Sequence, residues 1–432
     1  MQFTEYQNLE FQAASEIAAV QERLLREHVA YCAAKSPFYR RRLAGLDVSL
    51  EAVTLESLPD LPLTGKSDLE SDNDSFLAVP GERVVDIVFS SGTTGVPTKI
   101  AYSEHDLARL AYNERQSFAG TGMTSEDTVL LTCTMDRCFV AGLAYFLGSR
   151  SIGASTIRNG HGTMDGHCEI IRRVSPTVII GVPSFLVKLA EYMLKHGIDP
   201  RWSSVRKLIC IGEPVRDREM APLPVGSALR ELWDAAVYST YASSETVTTF
   251  CECEQENGGH LHPELAVIEI VDAEGQVLPP GEVGEVVITP LAVEAMPFIR
   301  FCTGDLSFLV DEPCECGRNT PRLGPILARK KQMIKLKGTT LYPQAVAMAL
   351  DSIPAVAEHY IEVDRSDELS DRVTVRVAVT DSEWDAARIG ERLQSRLRVT
   401  PEVEIEPIAS IRQRVFSPEY RKPMRFFDRR NS

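Results

Sequence analysis

The sequence predicts an α/β protein with a large N-terminal domain of mixed sheets and helices and a small α+β C-terminal domain. Three observations carry this. At 432 residues the chain exceeds the ~250–300 residues at which single cores stop growing. Between about 84 and 290, short β-rich runs alternate with helical patterns, as when helices cover a sheet. After Arg329 the character changes to a run of short strands and helices over about a hundred residues, the size of one small domain. The boundary is placed between 330 and 331, giving domains 1–330 and 331–432.

In chain order, the apolar positions Phe11, Ile17, Val20, Leu24, Leu25 and Val29 predict an amphipathic helix over 8–34. Ser36-Pro37 stops it, because a residue before proline avoids the helical region. Strands are expected at Val84–Phe89, Thr128–Thr132, Thr177–Val182, Lys207–Ile211 and Ala236–Tyr238, with a helix at Phe185–Lys195. In the second domain Met333–Leu336 reads as a strand and Pro343 opens a helix to about Ile353. Tyr360–Val363, the alternation Val373, Val375, Val377, Val379, a helix near 382–398 and a strand at Val403–Ile405 complete it.

Hydrophobic residues make up 44% and charged residues 25%, which excludes wholesale disorder. Asp plus Glu total 61 against 46 Lys plus Arg, a formal charge of −15, which disfavours a general nucleic-acid partner. No apolar run is long enough for a membrane helix, and residues 1–11 lack a basic segment followed by an apolar one. A cytoplasmic protein without membrane attachment is expected. Of ten cysteines, Cys32, Cys133, Cys138, Cys168, Cys210 and Cys302 read as small core residues. Cys251, Cys253, Cys314 and Cys316 form two C-x-C pairs, which in a reducing compartment point to metal before disulfide.

The run Ser90-Ser91-Gly92-Thr93-Thr94-Gly95 follows a predicted strand. Small hydroxylated residues and glycines let backbone amides and hydroxyls close around a phosphate chain. It is not a Walker loop, because Val96-Pro97 stands where Lys and Ser/Thr are required. This loop resembles the phosphate-binding signature of adenylate-forming enzymes: acyl-CoA synthetases, luciferases and adenylation domains. Tyr241-Ala242-Ser243-Ser244-Glu245-Thr246, Thr303-Gly304-Asp305, the hinge-like stretch Arg329 to Gly338 and Lys422 follow in that superfamily's order. Within it, Ser36-Pro37-Phe38-Tyr39-Arg40, the block Leu58 to Leu69, Gly212-Glu213-Pro214 and Cys314-Glu315-Cys316-Gly317-Arg318 resemble phenylacetate–CoA ligases.

The resemblance implies an ATP-dependent ligase that activates a carboxylic acid, aryl or arylalkyl, as an acyl-adenylate. It passes the acyl group to coenzyme A and releases AMP and pyrophosphate. ATP, Mg2+ and coenzyme A are the implied cofactors. Ser90, Ser91, Gly92, Thr93, Thr94 and Gly95 would face the phosphates, with Lys99 in place of the family's loop lysine. Tyr241 and Ala242 would line the adenine site, and Gly212, Glu213, Pro214 and Ser243 are further nucleotide-binding residues. Asp305 and Arg329 would anchor the ribose, Glu245 would hold Mg2+, and Lys422 and Thr94 would act with Glu245 in catalysis. Lys331 is the implied hinge of a mobile C-terminal domain, although the family's Gly-Arg-Asp-Asp is here Ala328-Arg329-Lys330-Lys331. Arg137, Phe139, Ala141, Tyr238 and Ser239 would line the acid pocket. There Arg137 either meets a polar tail of the substrate or pairs with Asp136.

Cys253, His260, Cys314 and Cys316 match a cysteine–histidine set in such relatives and suit a structural Zn2+. Cys251 and His262 are alternative ligands, and free thiols remain the alternative to any metal. Plainer readings stay open too: Glu245 as a helix-start carboxylate, Asp305 as a turn residue and Lys422 as part of a solvated basic tail. A homodimer is a family expectation only. Two other functions compete: an adenylating ligase with an amine, cofactor or carrier-protein thiol as acceptor, and a non-catalytic nucleotide or acyl-CoA sensor. Glu245, Asp305 and Lys422 together argue against a sensor, which needs no transition-state groups.

Overall fold

A computed structural model describes residues 3–6, 8–46, 49–90, 98–136, 138–160, 162–336, 339–365, 371–417 and 423–430. The chain divides into two compact units, Met1–Ile326 and Leu327–Ser432.

In the first unit, Val178–Gly181 is buried along its whole length, as a strand covered on both faces must be. It pairs in parallel with Thr128–Leu131 on one side and Lys207–Ile211 on the other. Ser155–Arg158 flanks the first of these and Ala236–Ser243 the second. The spatial order of these five parallel strands is therefore second, first, third, fourth, fifth. The chain reverses its direction of winding between Thr128–Leu131 and Val178–Gly181, where open α/β sheets leave a crevice at the strands' carboxyl ends. Thr248–Glu252, Gly259–His260, Arg322–Leu323 and Leu309–Val310 extend the sheet antiparallel, to nine strands among the described residues.

The sheet's two faces have separate cores. Val129, Ile180, Ile209 and Tyr238 pack with Leu110 and Phe118 of the helix Glu104–Gly120 and Tyr145 of Ala141–Ile152. Leu130, Ile179, Leu208 and Val237 pack with the helices Met164–Val174, Pro183–Lys195 and Pro224–Trp233. Period-two alternation of side chains produces this division. Ala266–Val271, Gly284–Pro290 and Phe301–Ser307 form an antiparallel sheet, and Val84–Ser90 pairs with Thr98–Ser103 as a hairpin.

In the second unit Val356–Arg365 and Asp371–Val379 pair antiparallel, with Phe426–Asp428 and Glu402–Ile405 parallel at the two edges. Val373, Val375 and Val377 point into a core with Leu350 of Pro343–Asp351 and Leu393 of Ala386–Leu397. Tyr360 and Ala378 face the other way, onto Ile411 and Val415.

Most sequence expectations hold, with informative exceptions. The first long helix is Ala14–Lys35, and Leu9–Phe11 ahead of it is a separate 3-10 turn. It stops where expected: Ser36 caps a second helix, Pro37–Leu43, with proline at its first position. The strand expected at Ala236–Tyr238 runs to Ser243, because its polar residues satisfy their backbone in the sheet ladder. The helix Ile408–Val415 was not anticipated: its buried residues are only Ile411 and Val415, too few for a periodic signal. Cys32, Cys133, Cys168 and Cys210 are buried, whereas Cys302 is half-buried and Cys138 is exposed with φ +53°.

Charged groups in the first core are paired or displaced in pKa. Arg300 grips Glu269 through two bonds of 3.0 and 2.9 Å and donates to the Pro59 and Leu61 carbonyls at 2.7 Å. Glu114 accepts from Thr249 through one oxygen, and its other oxygen has no partner among the described residues. Burial pushes its carboxyl up to about 7. Replacing Arg300 by Ala strands the Glu269 charge, and urea unfolding of the first unit is expected to show a loss of about 3–5 kcal/mol. For Glu114, folding retains a proton that the unfolded chain releases between its ordinary value and about 7. The wild type therefore loses stability as pH rises through that window. Thermal scans of Glu114→Gln should match wild type near pH ~4.5 and exceed it near pH ~8.

Candidate active site

The carboxyl ends of the parallel strands bring together motifs far apart in the chain. After Lys207–Ile211 comes Gly212, at φ +74°, a conformation that a Cβ disfavours. The next residue, Glu213, accepts from Ser184 N at 3.0 Å and Ser184 Oγ at 2.8 Å. Ser184 lies in the first turn of Pro183–Lys195, where helix-end amides favour a carboxylate. The Gly212-Glu213-Pro214 loop is thus tied to the neighbouring strand's helix.

Beside it, Ala236–Ser243 carries Tyr241, Ala242 and Ser243, and register pairs Ser243 with Thr248 of the next strand. Four residues, 244–247, reverse the chain, and Val247 takes φ +51°, a left-handed conformation costly for a β-branched residue. Glu245 sits in this turn at 5% exposure. Ser243 Oγ donates to Glu245 Oε2 at 2.6 Å, and Lys66 Nζ lies 3.5 Å from Oε1. Burial works to raise the Glu245 carboxyl, but the Lys66 charge and the Ser243 bond outweigh it and hold the pKa below the ordinary range. Lys66 had no assigned role in the sequence, although it lies inside the block Leu58 to Leu69. The turn's ends are held from outside: Tyr102 Oη donates to the Ser244 carbonyl at 2.7 Å, and Arg109 donates to the Val247 carbonyl.

Tyr241 Oη donates to Asp305 Oδ2 at 2.9 Å, so two motifs separated by 64 positions meet in space. Burial, with the Asp305 charge next, drives the Tyr241 hydroxyl well above its ordinary pKa. Gly304 before Asp305 has φ +79° and its N–H donates to Glu285 Oε1 at 3.1 Å.

Other expected site residues fall elsewhere or outside the described residues. Ser90 closes the first hairpin strand and pairs with Thr98. Ser91, Gly92, Thr93, Thr94, Gly95, Arg137 and Lys422 lie outside the described residues. Lys99 is bonded to Asp74 Oδ1 at 2.5 Å, so its charge is already matched. Asp136 accepts from Thr134 Oγ1. Phe139 is half-buried, and Ala141 begins the helix that covers the sheet on the Tyr238 face. Ser239 points to the opposite face from Tyr238, as adjacent strand residues must, and its N–H donates to Glu252 Oε2 at 2.7 Å. In the second unit, Arg329 ends a short strand, and Lys331 lies in the 3-10 turn Lys330–Gln332.

A second constellation stands on the antiparallel side of the sheet. Cys253, His260, Cys314 and Cys316 offer ligand atoms all within 4.8 Å of one another. Cys253 Sγ and Cys314 Sγ are 3.7 Å apart, and Cys316 Sγ is 3.4 Å from His260 Nε2. A tetrahedral ion with metal–sulfur bonds of ~2.3 Å and metal–nitrogen bonds of ~2.0–2.1 Å sets these edges at ~3.8 and ~3.5 Å. Burial lowers the His260 imidazole to about 3, the neutral form that ligates, and raises the Cys253 thiol to about 12. Burial also opposes the Cys316 thiolate, but Arg318 and Cys314 bring that thiol below its ordinary range. The alternative ligands are excluded from this group. His262 spends its nitrogens on Glu10 at 3.1 Å and Ser117 at 3.2 Å, and Cys251 is buried outside the cluster.

Known proteins share this organisation. A profile described as AMP-binding enzyme matches residues 34–293, and one described as AMP-binding enzyme C-terminal domain matches 338–430. A phenylacetate-coenzyme A ligase of Thermus thermophilus is 34% identical over 86% of this chain and 84% of its own. One of Escherichia coli is 27% identical over 99% and 98%. In fold, the chain superposes on a crystal structure of 2-hydroxyisobutyryl-CoA ligase with TM-score 0.86 at 22% identity, covering 98% of this chain and 92% of the other. With one profile spanning more than half its length and a relative this similar over most of it, the chain belongs to the AMP-binding enzyme family.

Proposed function

We propose that this protein is an AMP-forming acid–CoA ligase that activates an aryl or arylalkyl carboxylic acid of the phenylacetate type. One observation carries the reading: Tyr241, Asp305, Glu245 and the Gly212 loop converge at the carboxyl ends of parallel strands, in a chain similar to phenylacetate-coenzyme A ligases along most of its length. The acid's carboxylate attacks the α-phosphorus of ATP, pyrophosphate departs, and the thiol of coenzyme A then displaces AMP from the acyl-adenylate. No side-chain nucleophile is required, so catalysis consists of positioning and charge neutralisation.

The residues divide that work. Ser90 to Gly95 are the phosphate-binding residues, Tyr241 and the Gly212 loop receive adenine, and Asp305 and Arg329 are the ribose-binding residues. Glu245 fits a magnesium site because it is a carboxylate kept ionised while buried; the ion supplies charge neutralisation on the phosphates. Lys422 balances charge at the α-phosphate, and Lys331 is the pivot on which the second unit turns between the half-reactions. The acid enters on the Tyr238 face of the sheet, beneath Ala141. Cys253, His260, Cys314 and Cys316 would hold Zn2+, and with four protein ligands the ion would serve structure, not catalysis.

Acid-dependent exchange of labelled pyrophosphate into ATP, over a panel of carboxylates, tests the first half-reaction, and CoA-driven AMP release tests the second. Exchange without CoA-driven turnover would assign a different acceptor. Lys422→Ala is expected to lower exchange by about 10²–10³-fold; a wild-type rate would remove that role. Purified protein should contain equimolar zinc. Cys314→Ser should lose it and unfold several degrees lower, and a zinc-free wild type with a fully stable Cys314→Ser would contradict the site.

A further inference from the structure

We propose that Tyr102 is a positioning residue for the magnesium-binding carboxylate: its hydroxyl holds the Ser244 carbonyl and thereby fixes where Glu245 points. The proposal rests on the reading of Glu245 given above. Tyr102 stands on Thr98–Ser103, the strand whose first residue pairs with Ser90 at the start of the phosphate loop. Its ring is 1% exposed and its hydroxyl reaches Ser244 O at 2.7 Å. That bond runs from the hairpin of one motif to the turn of another, across 142 positions of sequence.

The strand's neighbouring bonds go elsewhere. Lys99 Nζ meets Asp74, Ala101 N–H donates to Met296 Sδ at 3.1 Å, and Ser103 Oγ donates to Glu294 at 2.7 Å. The turn itself is strained at Val247, and strained backbone persists only where its surroundings over-determine it. Here the surroundings grip both ends. Arg109, fully buried, donates to the Val247 carbonyl and to Leu291 O at 2.7 Å, and Tyr102 takes the Ser244 carbonyl. Glu245 lies between the two grips, its carboxylate further oriented by Ser243 and Lys66. Removing the Tyr102 hydroxyl frees one end of the turn and leaves the ring's packing in place. Glu245 then samples orientations that do not meet a cation on the phosphates.

The test is a Mg2+ titration of ATP binding, read by fluorescence of a labelled ATP analogue without turnover, beside the exchange assay. Tyr102→Phe is expected to raise the half-saturating Mg2+ about tenfold, with the acid's KM unchanged. Tyr112→Phe is the control. It removes another buried hydroxyl, bonded to Glu264 at 2.9 Å on the same helix as Arg109, and should change thermal stability without changing the Mg2+ requirement. A 4-aminophenylalanine at position 102 keeps a donor and should retain the wild-type requirement. A Tyr102→Phe protein with a wild-type Mg2+ requirement, whatever its melting temperature, overturns the proposal. A wild type that binds the labelled nucleotide with no Mg2+ dependence overturns the reading of Glu245 beneath it.

Discussion

A carboxylate kept ionised almost out of water is the constraint around which the first unit is arranged. Glu245 is 5% exposed, and an isolated charge at that depth would take up a proton. It stays charged because Lys66 and Ser243 reach it from two sides. Its place follows from the sheet. Pairing of Ser243 with Thr248 leaves four residues for the reversal, and a loop that short needs one residue near the left-handed region. Val247 accepts that conformation at a cost, offset by Arg109 beneath it and Tyr102 beside it.

Other buried acids of the unit are likewise met by a cation, in contrast to Glu114, whose carboxyl burial pushes up to about 7. Glu269 has Arg300, Glu252 has Arg216 at 2.7 Å, and Glu10 has Arg318 at 2.7 Å and His262 at 3.1 Å. The last of these links the amino-terminal segment to the cysteine–histidine cluster, because Arg318 follows Cys316 by two residues and its guanidinium lies 4.9 Å from the Phe11 ring centroid. His262 and Arg318 depress the Glu10 carboxyl to about 2 against the effect of burial. An acidic chain, 61 carboxylates to 46 basic groups, thus spends part of its scarce cation supply on cohesion.

How much was legible depended on whether a feature was local. Val178–Gly181 and Lys207–Ile211 could be read because continuous apolar runs are what a two-sided strand requires. The Cys253-His260-Cys314-Cys316 set was named from the resemblance, with His262 kept as an alternative, and what the sequence lacked was the geometry behind that choice. Both are buried histidines two positions apart, and only the pairing of His260 with Cys251 and Arg322 turns one toward the sulfurs. Tyr238 and Ser239 were placed together because the resemblance sets the acid pocket just before the adenine motif; in an extended strand their side chains take opposite faces. Lys66, Tyr102 and Arg109 gave no motif of their own, since each acts on a partner from 138 to 179 positions away, a contact that no periodicity encodes.

The sequence by itself determined the alternation of strands and helices, the change of character after Arg329 and the residue types of each motif, because these depend on neighbours within a few positions. Only the tertiary structure decided that Tyr241 meets Asp305, that the Ser/Thr/Gly loop's hairpin is tied to the Glu245 turn, and that one histidine joins the cysteines while its neighbour joins Glu10. Such pairings are fixed by where the sheet reverses its winding and which face each residue takes, and both are properties of the packed chain.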